Sequence, residues 1–428
     1  VDYGDNGVYV SFAESRESFI ENMRGFGFNF ERLGGGKFRF LDLLTVKEPA
    51  VQTVLDMIVE EVGEAKAKRL VLDSYSALAQ SFKDPIEVRI VVQTILGRII
   101  RMMGCTTLMV EEIPMGKSRI GFGVEEFVAD GVLRLNTTEF EGYRLRELEV
   151  LKLRGVCFKE PKLVYTFENG FRVFKPFGPK VAENPKRFDA VPDPPGKYST
   201  GSVSLDEALG GGLPKGSIML VELDEKITAP MYQPIIGPVL ANFLAHGRSA
   251  FVVPSSGVDA AAILYNHRRV YGGAEEDWSR LVRIIVGKSL KKPEHLSNVI
   301  HVEGENWRED LSKVFEETDK LEAETGQPSL SILGVEALTT LYGEKQCFEI
   351  LNLAAAEARM AGAVIVAIVK AGLRELAIKL SPIADIYLRL KRTHGCLLLY
   401  GVKPRTGLYA VEADTSKDYS IPKLTAML

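Results

Sequence analysis

The chain has 428 residues, 46% of them apolar and 26% charged, with a formal net charge of −4. That length predicts two domains, the apolar content excludes a disordered chain, and the slight acidity excludes a global attraction to nucleic acid or an anionic membrane. Cys105, Cys157, Cys347 and Cys396 form no CxxC pair, and only five histidines occur, which argues against zinc or imidazole metal centres and for reduced thiols in a cytoplasmic protein.

In chain order, GVYVSF at 7–12 reads as a buried strand, and SRESFIENMRGFG reads as the helix after it. Gly34-Gly35-Gly36-Lys37 superficially suggests a phosphate loop. No GxxxxGK[ST] frame fits, however, and a glycine turn is the better reading. RLVLDSYSAL at 69–78 is a second strand ending on an acid, Asp73. The amphipathic stretch 87–103, the strand TTLMV at 106–110 and VADGVLRL at 128–135 complete the first half.

Between 175 and 196, prolines at 176, 179, 185, 192, 194 and 195 exclude helices and central strands. This segment is the expected linker between a domain at 1–174 and another at 197–428. The second half repeats the first: AFVVP at 250–254, the helix VDAAAILYNHRRVYG, LSILGVEAL at 330–338, the helical 347–361, AVIVAIV at 363–369 and IADIYLRL at 383–390. Short apolar strands alternating with helices predict an α/β fold of two tandem domains, each a mostly parallel sheet flanked by helices. The most apolar run, 361–369, falls well short of the roughly 20 residues of a membrane helix and reads as a buried strand. Residues 201–249 have no counterpart ahead of the first-half strand. A matching segment with the phosphate loop is expected before Val1; otherwise the protein has no such loop.

An acid at the C-terminal end of a central strand sits in the ligand crevice of an α/β sheet. There Asp73, followed by Ser74, would orient the water shell of a nucleotide-bound Mg²⁺. The alternative is a cap on the next helix.

The stretches GVYVSFAES, RLVLDSYSAL, TTLMVEEIP, GVEEFVADGVLRL and LRELEVLKLRG (145–155), with YSTGSVSLDEALGGGLPKGSIMLV (198–221), resemble the KaiC/RadA group of RecA-like ATPases. The resemblance implies that ATP and Mg²⁺ are the cofactors of the first domain, with Asp73 as its Mg²⁺ acid. A pair of glutamates follows the first strand in that group. Here the pair is Ala13-Glu14, which leaves Glu14 as the residual water-aligning base or as a helix cap. Lys152 and Arg154 match a K-x-R pair that reaches a neighbouring subunit's site. Strand alternation would direct Leu153, between them, into the core. Glu112 matches a further acid near the site, or is a free surface carboxylate.

The second domain reads as disarmed. ELDEKITAP at 222–230 replaces the phosphate loop and would set Glu222, Asp224 and Glu225 against the phosphates, with Lys226 inside the loop and Pro230 suited to a first helical turn. Ser255-Ser256 replace the glutamate pair, and Leu333 stands where Asp73 stands. Lys403-Pro404-Arg405 keeps the basic pair, either as interface chemistry toward an acidic neighbour such as the ELDEK acids or as a basic turn. The implied function is an ATP-binding regulatory switch or slow ATPase. Its nucleotide would lie at the first-domain subunit interface of a homo-oligomer, a hexameric ring by the same resemblance, and a regulatory protein partner is compatible with that role. The alternatives are a non-hydrolysing pseudo-ATPase scaffold and a RecA/RadA-like recombination or repair accessory. For the last, MGKSRIG at 115–121 is the single candidate DNA loop.

Overall fold

The computed structural model describes residues 4–33, 36–43, 51–76, 100–113, 128–258, 260–287 and 298–427. Most of the expected helix 87–103 and all of the loop 115–121 lie outside the described residues. Contacts cluster into two compact units. One comprises residues 1–136, 148–161 and 169–172; the other comprises 137–147, 162–168 and 173–428.

The first unit opens with β1 (Gly7–Ser11), α1 (Arg16–Gly25), β2 (Phe38–Asp42), α2 (Val51–Glu64), β3 (Arg69–Asp73) and β4 (Thr106–Met109). The sheet order is β2-β1-β3-β4, with every pairing parallel. Ser15 starts α1 because its side chain accepts from the Ser18 N–H, satisfying one of the orphan donors of the first turn. Alternation within β1 and β3 sends Val8, Val10, Leu70 and Leu72 to one face, where Leu55, Ile58 and Val62 of α2 cover them. The opposite face carries Tyr9, which with Phe19 of α1 and Phe40 of β2 forms an aromatic layer.

Next come β5 (Gly131–Phe140), β6 (Tyr143–Leu153), β7 (Lys162–Thr166) and β8 (Arg172–Phe174), a four-stranded sheet in that order. Residues 175–196 contain no helix or strand. They are nevertheless fastened down: Phe188 packs on Tyr271 and Tyr419, and Asp193 pairs with Arg248.

The second unit continues through β9 (Lys197–Tyr198), α3 (Val203–Ala208), β10 (Leu213–Pro214), β11 (Ile218–Leu223), α4 (Ala229–Ala245), β12 (Ala250–Val253), α5 (Ala260–Tyr271), α6 (Glu275–Leu281), β13 (Val282–Gly287), β14 (Val299–Val302) and α7 (Trp307–Thr325). It ends with β15 (Leu330–Gly334), α8 (Val335–Tyr342), α9 (Glu344–Ala361), β16 (Val364–Val369), α10 (Arg374–Leu380), β17 (Ile386–Thr393), β18 (Cys396–Lys403), β19 (Leu408–Asp414) and β20 (Ile421–Ala426). Its ten-stranded sheet runs β14-β13-β12-β15-β16-β11-β17-β18-β19-β20. The pairings are parallel from β14 to β17 and antiparallel from β17 to β20.

The expected α/β architecture is present. The antiparallel extension makes this second sheet mixed rather than simply parallel. Strand β16, all six residues buried, lies between β15 and β11, which is why its sequence is continuously apolar instead of alternating. Alternate residues of β11 feed two cores. Met219, Val221 and Leu223 pack with α4, whereas Ile218 and Leu220 pack with α8 and α9. Glycines at φ 65° and 72°, Gly326 and Gly362, end α7 and α9 in the left-handed conformation that a side chain would disfavour. Four consecutive parallel strands, β2-β1-β3-β4 and β13-β12-β15-β16, have the same order in both units.

Candidate nucleotide site at the strand ends of the first unit

The C-terminal ends of β1 and β3 lie side by side. Ser11 is the register partner of Asp73, and the Phe12 N–H donates to the Asp73 carbonyl. Asp73 is half-buried, while Ser11 and Ser74 are buried. The Tyr9 hydroxyl donates to Asp73 Oδ2. Burial first, then the negative charges of Asp73 and Glu14, hold the Tyr9 phenol well above its ordinary range, so it remains a donor at any physiological pH.

Glu14 occupies the turn directly after β1. Its backbone N–H donates to Ser11 Oγ at 3.1 Å, and the Ser11 hydroxyl donates to the Glu14 carbonyl at 2.8 Å. Its carboxylate accepts from Asn22 Nδ2 at 3.1 Å and from Ser18 Oγ at 3.4 Å, along the exposed side of α1. After β4, the Glu112 N–H donates to Ser76 Oγ at 2.9 Å, and the Tyr75 N–H donates to the Val110 carbonyl at 2.7 Å. These bonds stitch the loop carrying Glu112 to the turn after Asp73, with the Glu112 side chain exposed. Asp73, Ser74, Glu14 and Glu112 therefore gather at one end of one sheet.

Lys152 lies at the end of β6, in the other four-stranded sheet, and Arg154 directly follows the strand. Arg154 contacts Asp130 at 3.2 Å, with Arg101 3.7 Å from the same carboxylate. Leu153 does not enter a core: it is 41% exposed, as Leu151, Leu133 and Leu135 are also exposed. Alternation still operates along β5 and β6. It leaves these leucines exposed rather than in a core, and this corrects the expectation.

Magnesium favours one or two protein carboxylates plus phosphates and retained waters, not an all-protein cage. Asp73, a single half-buried carboxylate with Ser11 as its register partner, fits that demand. Among the described residues no three His, Cys, Asp or Glu converge into a cage of their own.

The second unit reverses this chemistry position by position. Its last β12–β15 pair is Val253 with Leu333, against Ser11 with Asp73, and one pleat earlier Phe251 stands where Tyr9 stands. Phe251, Val253 and Leu333 all lie in one apolar core. Register carried along β16 sets Val369 opposite the Glu112 position. Just ahead of where a phosphate loop would follow, Glu222 is a buried residue of β11 itself. It accepts from Tyr387 and from Arg389 Nε at 2.8 Å, and Arg374 lies 3.9 Å away. Burial, followed by the bond to Glu222, pushes the Tyr387 phenol up to about 12. Ser256 N–H donates to Glu336 Oε1 at 3.1 Å, and Lys370 pairs with the same carboxylate at 3.0 Å. Pro230 lies in the first turn of α4, where its missing N–H costs no intrahelical bond. Lys403 donates to the Ala384 carbonyl, and Arg405 donates to the Gly142 carbonyl at 3.2 Å while lying over the Tyr143 ring.

Sequence reasoning passed over Tyr9 and Arg389. The repeat itself held a signal for Tyr9, a hydroxyl at a position where the second copy carries a plain phenyl ring.

Residues 1–176 match the family model described as "ATPase: KaiC". The circadian clock oscillator protein KaiC of Thermostichus vulcanus is 32% identical over 229 residues, covering 51% of this chain and 42% of that protein. KaiC of Synechococcus elongatus is 32% identical over 232 residues, 51% of this chain and 43% of that protein. The circadian clock protein KaiC3 of a Synechocystis species is 29% identical over 228 residues, 51% and 44% respectively. The chain thus spans less than half the length of these relatives. No described helix is long and apolar enough to cross a membrane. With its parallel strand order and its polar strand ends, the region within residues 1–176 is similar to the KaiC ATPases, a group of the RecA-like type.

Proposed function

We propose that the first domain, residues 1–174, binds ATP with Mg²⁺ at a subunit interface and works as a regulatory switch with slow hydrolysis in the cytoplasm. In this reading Asp73, with Ser74 beside it, holds the water shell of the ion, Glu112 borders the site, and Glu14 aligns water weakly. Lys152 and Arg154 meet the γ-phosphate of the neighbouring protomer, where a planar guanidinium binds two oxygens at once. Residues 175–196 link this domain to a non-hydrolysing one at 197–428.

The observation that carries the reading is the collection of Asp73, Ser11, Glu14 and Tyr9 at the strand ends of a KaiC-type domain. Exposed Leu133, Leu135, Leu151 and Leu153 on the adjacent strands β5 and β6 favour a homo-oligomer, because several large apolar side chains are costly to leave in water. The test is ATP binding and turnover by the full-length protein. Asp73→Ala is expected to abolish Mg²⁺-dependent binding. Arg154→Ala is expected to leave binding intact and to slow turnover by about 10³-fold, the low end for an arginine acting in trans. Absence of nucleotide binding by the parent protein would overturn the proposal.

A second reading, a nucleotide-binding scaffold without hydrolysis, is favoured by Ala13, where the first acid of the glutamate pair is a methyl group. Tight binding with no turnover would select it.

A further inference from the structure

We infer that Tyr9 is a positioning residue for the Mg²⁺–nucleotide complex: its hydroxyl fixes the Asp73 carboxylate through Oδ2 and leaves Oδ1 to accept from the ion's water shell. The inference rests on the functional reading above and adds to it a residue that the site's acids do not include.

Three observations support it. The hydroxyl and carboxylate come from different strands, 64 residues apart, and meet at the end of the sheet where Ser11 and Asp73 are paired. The Tyr9 ring packs in a three-ring cluster, 4.4 Å from Phe19 and 5.5 Å from a stacked Phe40, which gives the hydroxyl a fixed origin. A carboxylate held by a donor from a locked ring loses the torsional freedom that would blur a water-mediated contact. Lastly, the second unit has lost both members together. Phe251 replaces the hydroxyl and Leu333 the carboxylate at matching registers, and both enter one apolar core. A tyrosine retained merely as aromatic packing would have no reason to shed its oxygen in the copy that shed the acid.

The opposite role, in which Tyr9 competes with the ion for Asp73, predicts an effect of opposite sign. Binding of a fluorescent ATP analogue to the full-length protein is to be followed while Mg²⁺ is titrated. Tyr9→Phe is expected to raise the half-saturating Mg²⁺ concentration by about tenfold, the lower end for loss of a group orienting a metal-site carboxylate. It is expected to leave Mg²⁺-free nucleotide affinity and the melting temperature unchanged, since phenylalanine is already accommodated at the matching position 251. Asp73→Asn is expected to remove the Mg²⁺ dependence, and adding Tyr9→Phe to it to change nothing further. An unchanged or lowered Mg²⁺ requirement in Tyr9→Phe, with Asp73→Asn still impaired, would overturn the role of Tyr9 alone. Mg²⁺ dependence surviving Asp73→Asn would overturn the functional reading, and Tyr9's role with it.

Discussion

The fate of individual polar side chains separates the two units. Asp73 keeps a tyrosine donor and is half-buried at a strand end, whereas Glu222 is buried and bonded to Arg389 and Tyr387. A buried carboxylate matched by a guanidinium is already satisfied, so displacing it toward a polyphosphate would strand both charges. His267 shows another residue-scale consequence of burial. On α5 it lies 5.1 Å from the rings of Tyr271 and Trp278, in a pocket rimmed by the Arg187–Asp277 and Arg268–Glu275 pairs. Burial lowers its imidazole from 6.5 to about 4. Above pH 6.5 the ring is neutral whether the chain is folded or unfolded, and it contributes no pH dependence. As pH falls from 6.5 toward 4, the unfolded chain takes up a proton that the folded one refuses, and stability declines. The expected loss is roughly 2 kcal/mol at pH 5. Urea unfolding at pH 7 and pH 5 should show that loss in the parent and about that much less of it in His267→Leu, since the remaining acid-sensitive groups are common to both.

At the level of elements, α4 is bound to α5 by a close approach at Gly237. A β-carbon built there would stand 2.3 Å from the Tyr271 hydroxyl oxygen, and Tyr271 is itself buried against Phe188. On its side α4 has no room to retreat, because Ile235, Ile236, Val239 and Leu240 are buried. Gly237→Ala is therefore expected to destabilise the second unit by about 1–3 kcal/mol through overpacking, despite alanine's better helix propensity. Chemical denaturation would detect it, and an unchanged midpoint would show that the two helices can move apart. Much of this element level is readable in advance. The strands β1, β3, β4, β12, β15 and β16 fall within the expected apolar runs, and α1, α5 and α9 fall where helical patterning places them. Strands β2, β13 and β14 escape such reading, because FRFLD and VIHV are short, mixed stretches whose strand character comes from neighbours on the sheet. The antiparallel strands β18 to β20 were equally hidden: an apolar run does not say which direction its partner takes.

For the molecule as a whole, two units share a strand order and differ in what fills the strand ends. A nucleotide that binds only the first should stabilise only the first, by about 2.7 kcal/mol at a ligand concentration a hundredfold above Kd. Calorimetric melting of the full-length protein with ATP and Mg²⁺ is expected to move one transition upward and leave the other in place. Asp73→Asn should cancel the shift, while Ser255→Ala should not alter it. Movement of both transitions would place nucleotide in the second unit as well, against the closure of Glu222 by Arg389.

The sequence by itself determined the strand–helix alternation, the duplication and the position of Asp73 at the end of an apolar strand. Each of these depends on residues close together in the chain, whose periodicity and turn chemistry are local. Tertiary structure alone decided that Tyr9 reaches Asp73, that Arg389 neutralises Glu222 across 167 residues of sequence, and that Leu153 faces outward. Hydrogen bonds and burial of this kind are set by which strands become neighbours and in what register. That choice is made by the whole sheet and is written in no single segment.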